Sequence, residues 1–275
     1  MTPSRLVAIL LALALALALA SFATNAEEPA PAPPKAPEVR SGAPVLAFNG
    51  KDLTGFYGFT KTHRYEDPDT VFTVRDGLLR ISGEDYGGLA TCGNFSNYHL
   101  IIEWKWGGAT WGDRKEKARD SGILLHCVGP DGAAGGQWMQ SQECQIIEGG
   151  CGDLLMVGGK GKPKLTCEVR NEPTGLYYQP GGERVTRDGG RVNWWGRDPE
   201  WADRIGFRGG RDVESPLGEW NRMEVVCDGT TITNVVNGVV VNVGTDSSLS
   251  EGKILLQSEG AEIFFRKFEI RPLTK

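Results

Sequence analysis

The chain has 275 residues and a formal net charge of −5, with no block of basic residues anywhere in it. That balance excludes a nucleic-acid surface built on phosphate neutralisation. Thirty-eight glycines set among short apolar runs argue for an all-β protein with many turns and against a helical bundle.

Residues 1–26 open with Arg5, continue through a Leu/Ala run and end in the small-residue site Thr24-Asn25-Ala26. This reads as a secretory signal peptide. An uncleaved membrane anchor is the alternative, but the apolar run Leu6–Ala20 is shorter than the ~20 residues of a spanning helix, and no stable membrane insertion is expected after cleavage. Residues 27–44 are Pro/Ala-rich and form an extended linker. The expected location is periplasmic or extracellular. About 230 residues remain, enough for one domain with a sizeable core. Export permits disulfides, but the six cysteines (Cys92, Cys127, Cys144, Cys151, Cys167, Cys227) include no Cys-x-x-Cys pair. A structural role therefore suits them better than a zinc ribbon or a redox motif, and the pairing stays open.

In the folded part, Val45–Phe48 reads as a first strand. Phe72–Arg75 and Leu78–Ile81 flank Asp76-Gly77, a hairpin signal. A long strand follows at Tyr98–Trp106, with Leu100, Ile102, Trp104 and Trp106 on one face. Asp120-Ser121-Gly122-Ile123-Leu124-Leu125-His126-Cys127 and Glu143-Cys144-Gln145-Ile146-Ile147-Glu148 alternate like strands. Gly175–Tyr178 is another strand, and residues 180–216 form a long irregular insertion. Loops of that length in a compact domain tend to carry function. Trp220–Cys227, Thr231–Val236 and Val239–Val243 make a meander through Asp228-Gly229 and Asn237-Gly238. Gly252–Glu259 and Glu262–Ile270 close the domain. The sum is a sandwich of two antiparallel sheets with roughly a dozen strands.

Strand parity gives the candidate site. If Ile123, Leu125, Cys127, Cys144 and Ile146 face the core, then His126, Glu143 and Gln145 share the opposite face, with Asp120 and Glu148 at strand ends. One solvated face is ordinary for an antiparallel sheet, so parity alone leaves function open. Gln257 and Glu259 share a face with Leu255 and line either this groove or bulk solvent. Arg266, in step with Phe264 and Phe268, points toward the core and needs a partner there.

Several of these stretches resemble one family, the 3-keto-disaccharide hydrolase domain. They are Leu46-Ala47-Phe48-Asn49-Gly50-Lys51-Asp52-Leu53-Thr54-Gly55-Phe56, Asp120-Ser121-Gly122-Ile123, Glu143-x-Gln145-Ile146 and Gly175-Leu176-Tyr177-Tyr178. Gly218-Glu219-Trp220-Asn221, Asn237-Gly238, Gly252-Lys253-Ile254-Leu255-Leu256-Gln257 and Phe265-Arg266 complete the pattern across residues 45–273. The resemblance implies a concanavalin-like jelly-roll β-sandwich, exported and acting on glycosides or oligosaccharides oxidised to a ketone at C3. This chain departs from the family at Asp120, where Asn is common, at His126, where Arg is common, and in a longer 180–216 insertion.

A C3 ketone acidifies the C2 proton. Its removal, expulsion of the C1 oxygen and addition of water would amount to hydrolysis. Such a site needs a base, an electrophile for the enolate oxygen and an acid for the leaving group. His126 or Glu143 is the candidate base, Tyr177 an acid or hydrogen-bond donor, and Gln145 a holder of a sugar hydroxyl. Glu143 and Glu148 also imitate the carboxylate pair of an ordinary glycosidase. A divalent metal is a candidate electrophile, since Asp120, His126, Glu143 and Glu148 supply suitable ligand types; carboxylates at strand ends are otherwise turn-formers. Trp194, Trp195 and Trp201 either stack on sugar rings or pin the long loop to the sandwich. Arg208, with Asp212 and Glu214, either rims the site or belongs to a solvated loop. The alternative to an enzyme is a non-catalytic carbohydrate-binding or adhesion sandwich using the same groove.

Overall fold

In the computed structural model, the described residues are 36–158 and 163–274. The signal peptide and the first part of the linker lie outside them. In chain order the strands are β1 (Leu46–Ala47), β2 (Phe56–Thr60), β3 (Phe72–Arg75), β4 (Leu78–Ile81), β5 (Gly87–Thr91), β6 (Tyr98–Thr110), β7 (Asp120–Val128), β8 (Gln140–Ile147) and β9 (Leu154–Val157). They continue as β10 (Leu165–Glu172), β11 (Gly175–Tyr178), β12 (Glu183–Arg187), β13 (Gly190–Val192), β14 (Asn221–Asp228), β15 (Thr231–Val236), β16 (Val239–Thr245), β17 (Lys253–Ser258) and β18 (Ala261–Pro272). A single 3₁₀ turn at Gly112–Arg114 is the only helical element among the described residues. No helix there is long and apolar enough to cross a membrane.

These strands form two sheets. The larger runs β11-β10-β16-β15-β14-β6-β18-β4-β3, with β1 on β18 and β12 on β10; the smaller runs β13-β9-β8-β7-β17-β5-β2. The long apolar strand β6 lies between β14 and β18 in the larger sheet. Its Leu100, Ile102, Trp104 and Trp106 belong to the main core, together with Ile123, Leu125, Cys144, Ile146 and Leu256 of the smaller sheet. The two hairpin signals work as expected. Asp76 and Gly77 have φ of 53° and 77°, and Asn237 and Gly238 have 48° and 81°, the doubly left-handed turn that matches strand twist. All six cysteines are free thiols and five are buried, filling space as small apolar groups.

Parity fails where a strand carries a bulge. Between Phe265 and Lys267 the β18–β6 register shifts: Arg266 lies outward in step with Glu262 and Phe264, against the expectation of a core-facing side chain, and the shift brings Phe268 to the core side. Its side chain is 45% exposed and bonds Glu103 Oε2 at 2.6 Å. Its guanidinium stacks 4.5 Å from the Trp220 ring, which Lys105 approaches to 5.1 Å. The 180–216 insertion contains β12 and β13, and its remainder folds against the ends of β7 and β8.

Candidate functional site

The smaller sheet presents its outer face through a simple register. Gly122 pairs with Gln145 and Leu124 with Glu143, while Leu255 of β17 pairs with Leu124. Because Cys144 and Ile146 face the core, Glu143 and Gln145 must face away from it. Gln257, two residues past Leu255, joins them. Gly122 is what lets them meet. A Cβ at that position would stand 2.2 Å from Gln257 Oε1 and 2.4 Å from Glu143 Oε1. The backbone is therefore bare where a carboxylate and an amide converge from the two neighbouring strands.

This polar floor is screened from bulk solvent. Asp120 is 2% exposed, Glu143 and Gln145 are each 3%, and Gln257 is fully buried. Asp120 Oδ1, Gln145 Oε1 and both terminal atoms of the Gln257 amide have no protein partner. Buried polar atoms are nearly always paired, and a concentration of exceptions marks a place where something else binds. Beside the floor, Leu124, Leu255 and Ala90 form a second apolar cluster, with Trp138 and Tyr57 packed on it. Trp138 donates its indole N–H to Gly87 O at 2.9 Å, which fixes it as a wall.

Three carboxyls meet at this floor. Burial pushes Glu143 up to about 8, and the neighbouring Asp120 adds to the rise. Asp120 is raised to about 7 by burial, against the pull of Arg114. Glu259 is driven well above the ordinary range by burial, then by Asp120 and Glu143. Two cations balance them. Arg114 bonds Asp120 and, at 2.8 Å, Asp203; Arg191 bonds Asp153 at 3.1 Å and favours ionisation of Glu143. Carboxyls this tightly coupled titrate as a set. Near neutral pH the set holds protons to give and, under the two arginines, negative charge that can accept one.

His126 is not part of this group. The β7–β8 register shifts between Leu125 and Val128, and His126 sits in the bulge with φ of 51°. Its ring packs edge-on against the core residue Tyr98 at 5.5 Å and is fully buried. Burial lowers its pKa to about 4, so it is neutral and faces the interior. Gly252 accommodates the bulge, because a Cβ there would stand 2.5 Å from the His126 carbonyl carbon. Past the bulge Cys127 turns outward and joins Leu124 and Leu255 in the second cluster.

Other expected site residues serve the fold. Tyr177 lies in the larger sheet, 1% exposed, with its hydroxyl 2.8 Å from Thr174 Oγ1 and the Arg170 guanidinium over its ring. Trp194 is buried in the main core, and Trp195 packs on it while donating to Val240 O at 2.9 Å. Trp201 donates to Glu148 O at 2.9 Å, under the Arg197 guanidinium. The tryptophans thus pin the long loop. Arg208 bonds Asp212 at 2.9 Å and the carbonyls of Glu214 and Ser215.

The residues expected to hold a metal do not fit one. Glu148 gives Oε1 to Arg119 Nη1 at 2.7 Å and Oε2 to the backbone N–H groups of Arg119 and Gly206, each at 2.9 Å. Asp120 is bound by Arg114. No group of three or more His, Cys, Asp or Glu side chains among the described residues has a ligating arrangement. Strand parity places Glu143 and Gln145 on one face with Asp120 at a strand end and leaves Gln257 open between this groove and solvent; it passes over Arg114 and Arg191, which sit on a one-turn 3₁₀ helix and on a three-residue strand. Neither segment has a periodicity that could have revealed them.

Solved structures of similar shape include a candidate glycosyl hydrolase from Parabacteroides distasonis. It is 18% identical, with 82% of this chain and 92% of that chain covered, at a TM-score of 0.47. A galectin-like protein of unknown function from Bacillus subtilis is 10% identical, with coverage of 86% and 99% and a TM-score of 0.49. A Bacillus licheniformis beta-glucanase is 12% identical, with coverage of 86% and 100% and a TM-score of 0.42. A comparison with curated proteins found no match. The family described as the 3-keto-alpha-glucoside-1,2-lyase-like domain matches residues 43–271, and the chain belongs to that carbohydrate-active family.

Proposed function

We propose that the protein cleaves the glycosidic bond of 3-keto-glycosides, with Glu143 as the base that removes the C2 proton. The observation that carries this reading is the convergence of Glu143 and Gln257 over the bare backbone of Gly122, among buried polar atoms without protein partners. Ionised Glu143 takes the proton from C2, and the C2–H electron pair enters the enolate, placing negative charge on the C3 oxygen. The enolate then returns its charge by forming the C1=C2 bond as the C1–O bond breaks. The departing oxygen needs a proton, and Glu259, kept protonated by burial beside two carboxyls, is suited to give it. The positive groups at the rim, Arg191 and Arg114, favour the transient anion. Water adding across C1=C2 would complete net hydrolysis. Gln145 and Gln257 have free amide atoms of the kind that hold sugar hydroxyls.

We further infer that the protein is exported, on the strength of the signal-like residues 1–26 and the Pro/Ala-rich stretch after them. A mature N-terminus near Glu27, read by mass spectrometry of the secreted fraction, is the expected result; an intact Met1 would refute export by this route.

The test of the chemistry compares wild type and Glu143→Gln on a 3-keto-glucoside and on its unoxidised parent. Cleavage of the ketone alone is expected, falling by about 10²–10⁴-fold in the variant, the usual worth of a positioned base. Unchanged turnover in Glu143→Gln removes Glu143 from the mechanism. Equal cleavage of the parent replaces the reading with ordinary glycoside hydrolysis, and binding without cleavage replaces it with a lectin-like module.

A further inference from the structure

A cavity lies at the strand ends, apart from the polar floor. It encloses about 300 Å³ and is walled by Trp106, Arg119, Glu148, Gly206, Arg208 and the pair Pro216–Leu217. None of these residues belongs to the cluster of Asp120, Glu143, Gln145, Gln257 and Glu259. β7 separates the two, because alternation sends Asp120 to the outer face and the preceding Arg119 the other way. Two residues singled out from the sequence, Glu148 and Arg208, do line a cavity, but it is this one.

The walls specify what can occupy it. Each cation already has its anion: Arg119 bonds Glu148 at 2.7 Å, and Arg208 bonds Asp212 at 2.9 Å. Neither cation is free to draw an anion, and the Glu214 carboxyl 4.0 Å from Arg208 adds to the acidic side, so an uncharged guest is favoured over an anionic one. Arg119, only 6% exposed, nevertheless keeps its Nε–H without a protein acceptor. A buried donor left unmet costs about 1–3 kcal/mol, and an oxygen on a guest would satisfy it. Opposite stand apolar surfaces: the Trp106 ring, Pro216, and Leu217, which is 57% exposed at the mouth. The Trp106 indole is fixed by donation to Glu214 Oε1 at 3.2 Å, and Glu214 in turn accepts from Gly149 N at 2.9 Å. The ring is thus held in place before any guest arrives. Ligand pockets start at about 300 Å³, so this one suits a single ring and not a chain.

We propose that this cavity is a second carbohydrate site, taking one uncharged sugar unit with an apolar face on Trp106 and a hydroxyl oxygen on Arg119 Nε. The site is independent of the proton abstraction proposed for Glu143, and the two can fail separately.

The experiment titrates the full mature chain calorimetrically with methyl glucoside, glucuronate and cyclohexanol. It is run on wild type, Glu143→Gln, and the mouth variants Leu217→Arg and Leu217→Glu. Leu217 is exposed, so both substitutions should leave the melting temperature unchanged; using two of opposite charge separates blockage from electrostatics. Methyl glucoside should bind wild type and Glu143→Gln equally and lose at least tenfold in affinity in both mouth variants. Glucuronate and cyclohexanol should bind at least tenfold more weakly than the glucoside. The proposal is overturned if the glucoside does not bind, binds the mouth variants as it binds wild type, loses affinity in Glu143→Gln, or is matched by either comparator.

Discussion

Gly122→Ala is the sharpest probe of the polar floor, because it adds one carbon at the meeting point of Glu143 and Gln257. The added Cβ would lie 2.2 Å from Gln257 Oε1, 2.4 Å from Glu143 Oε1 and 3.1 Å from Gln257 Cδ. Ordinary contact needs about 3.5 Å, so each side-chain end must retreat by roughly 1 Å. Gly122 does not have a left-handed φ, so the backbone itself accepts alanine. The clash falls on the ends of flexible side chains, which places the stability cost near the low end of the ~1–3 kcal/mol typical of overpacking. The catalytic cost is larger, since a ~1 Å misplacement of reacting groups is worth about 10²-fold. Steady-state kinetics on a 3-keto-glucoside, alongside urea unfolding, should show kcat/KM down by about two orders of magnitude with a small shift in midpoint. A folded Gly122→Ala variant with wild-type turnover would mean that the Glu143–Gln257 geometry does not position the reaction.

Other expectations follow from the same groups. A base must be ionised to accept a proton, and Glu143 sits at about 8, so kcat/KM should climb with pH and level off above about 8; a profile flat from pH 6 to 9 counts against Glu143. The stability trend runs the other way. The folded pKa of Glu143 lies above its ordinary 4.5, so its contribution is complete below about 4.5 and is lost as pH rises through about 8. Glu143→Gln should flatten that decline in a series of unfolding curves. His126→Ala should cost about 2–4 kcal/mol as a buried ring lost from the core while leaving the pH–rate profile unmoved; a displaced profile would return the imidazole to the site. Glu148→Gln removes the partner of a buried arginine and should destabilise by about 3–5 kcal/mol. Exhaustive chelation should leave activity intact, and a chelation-sensitive enzyme would contradict the reading of Asp120 and Glu148 as arginine partners.

What the sequence could and could not convey is clearest along β7. From Asp120 to Leu125 the strand obeys period two, and apolar residues alone fix which way Asp120 and Gly122 face. One step later the rule breaks, because an inserted residue makes two positions oppose one and reverses every side chain beyond it. The reversal carries His126 inside and Cys127 outside. A His followed by a Cys is equally at home in either arrangement, so no hydrophobic pattern marks the slip. The nearest signal is across the strand pair, at Gly252, whose missing side chain makes room for the displaced backbone. In the sequence that glycine reads only as the residue before a strand. A break of the same kind at Phe265–Lys267 puts Phe268 in the core out of step with the outward Phe264, so Arg266, expected to share one inward face with both, forms a surface ion pair instead of an interior one. Amphipathic residues add a second kind of opacity. Trp194, Trp195 and Trp201 could equally have met a sugar or a carbonyl, and Trp195 and Trp201 each donate to a carbonyl of the sandwich. By contrast Glu143 and Gln145 lie in a stretch of regular alternation, which makes their common face legible, whereas Gln257 shares a face with Leu255 and the sequence leaves open whether that face meets theirs. The polar floor thus rests on the unbroken stretches of β7, β8 and β17 beside the bulge, and that local alternation is what holds two side chains of β8 and one of β17 on the same face.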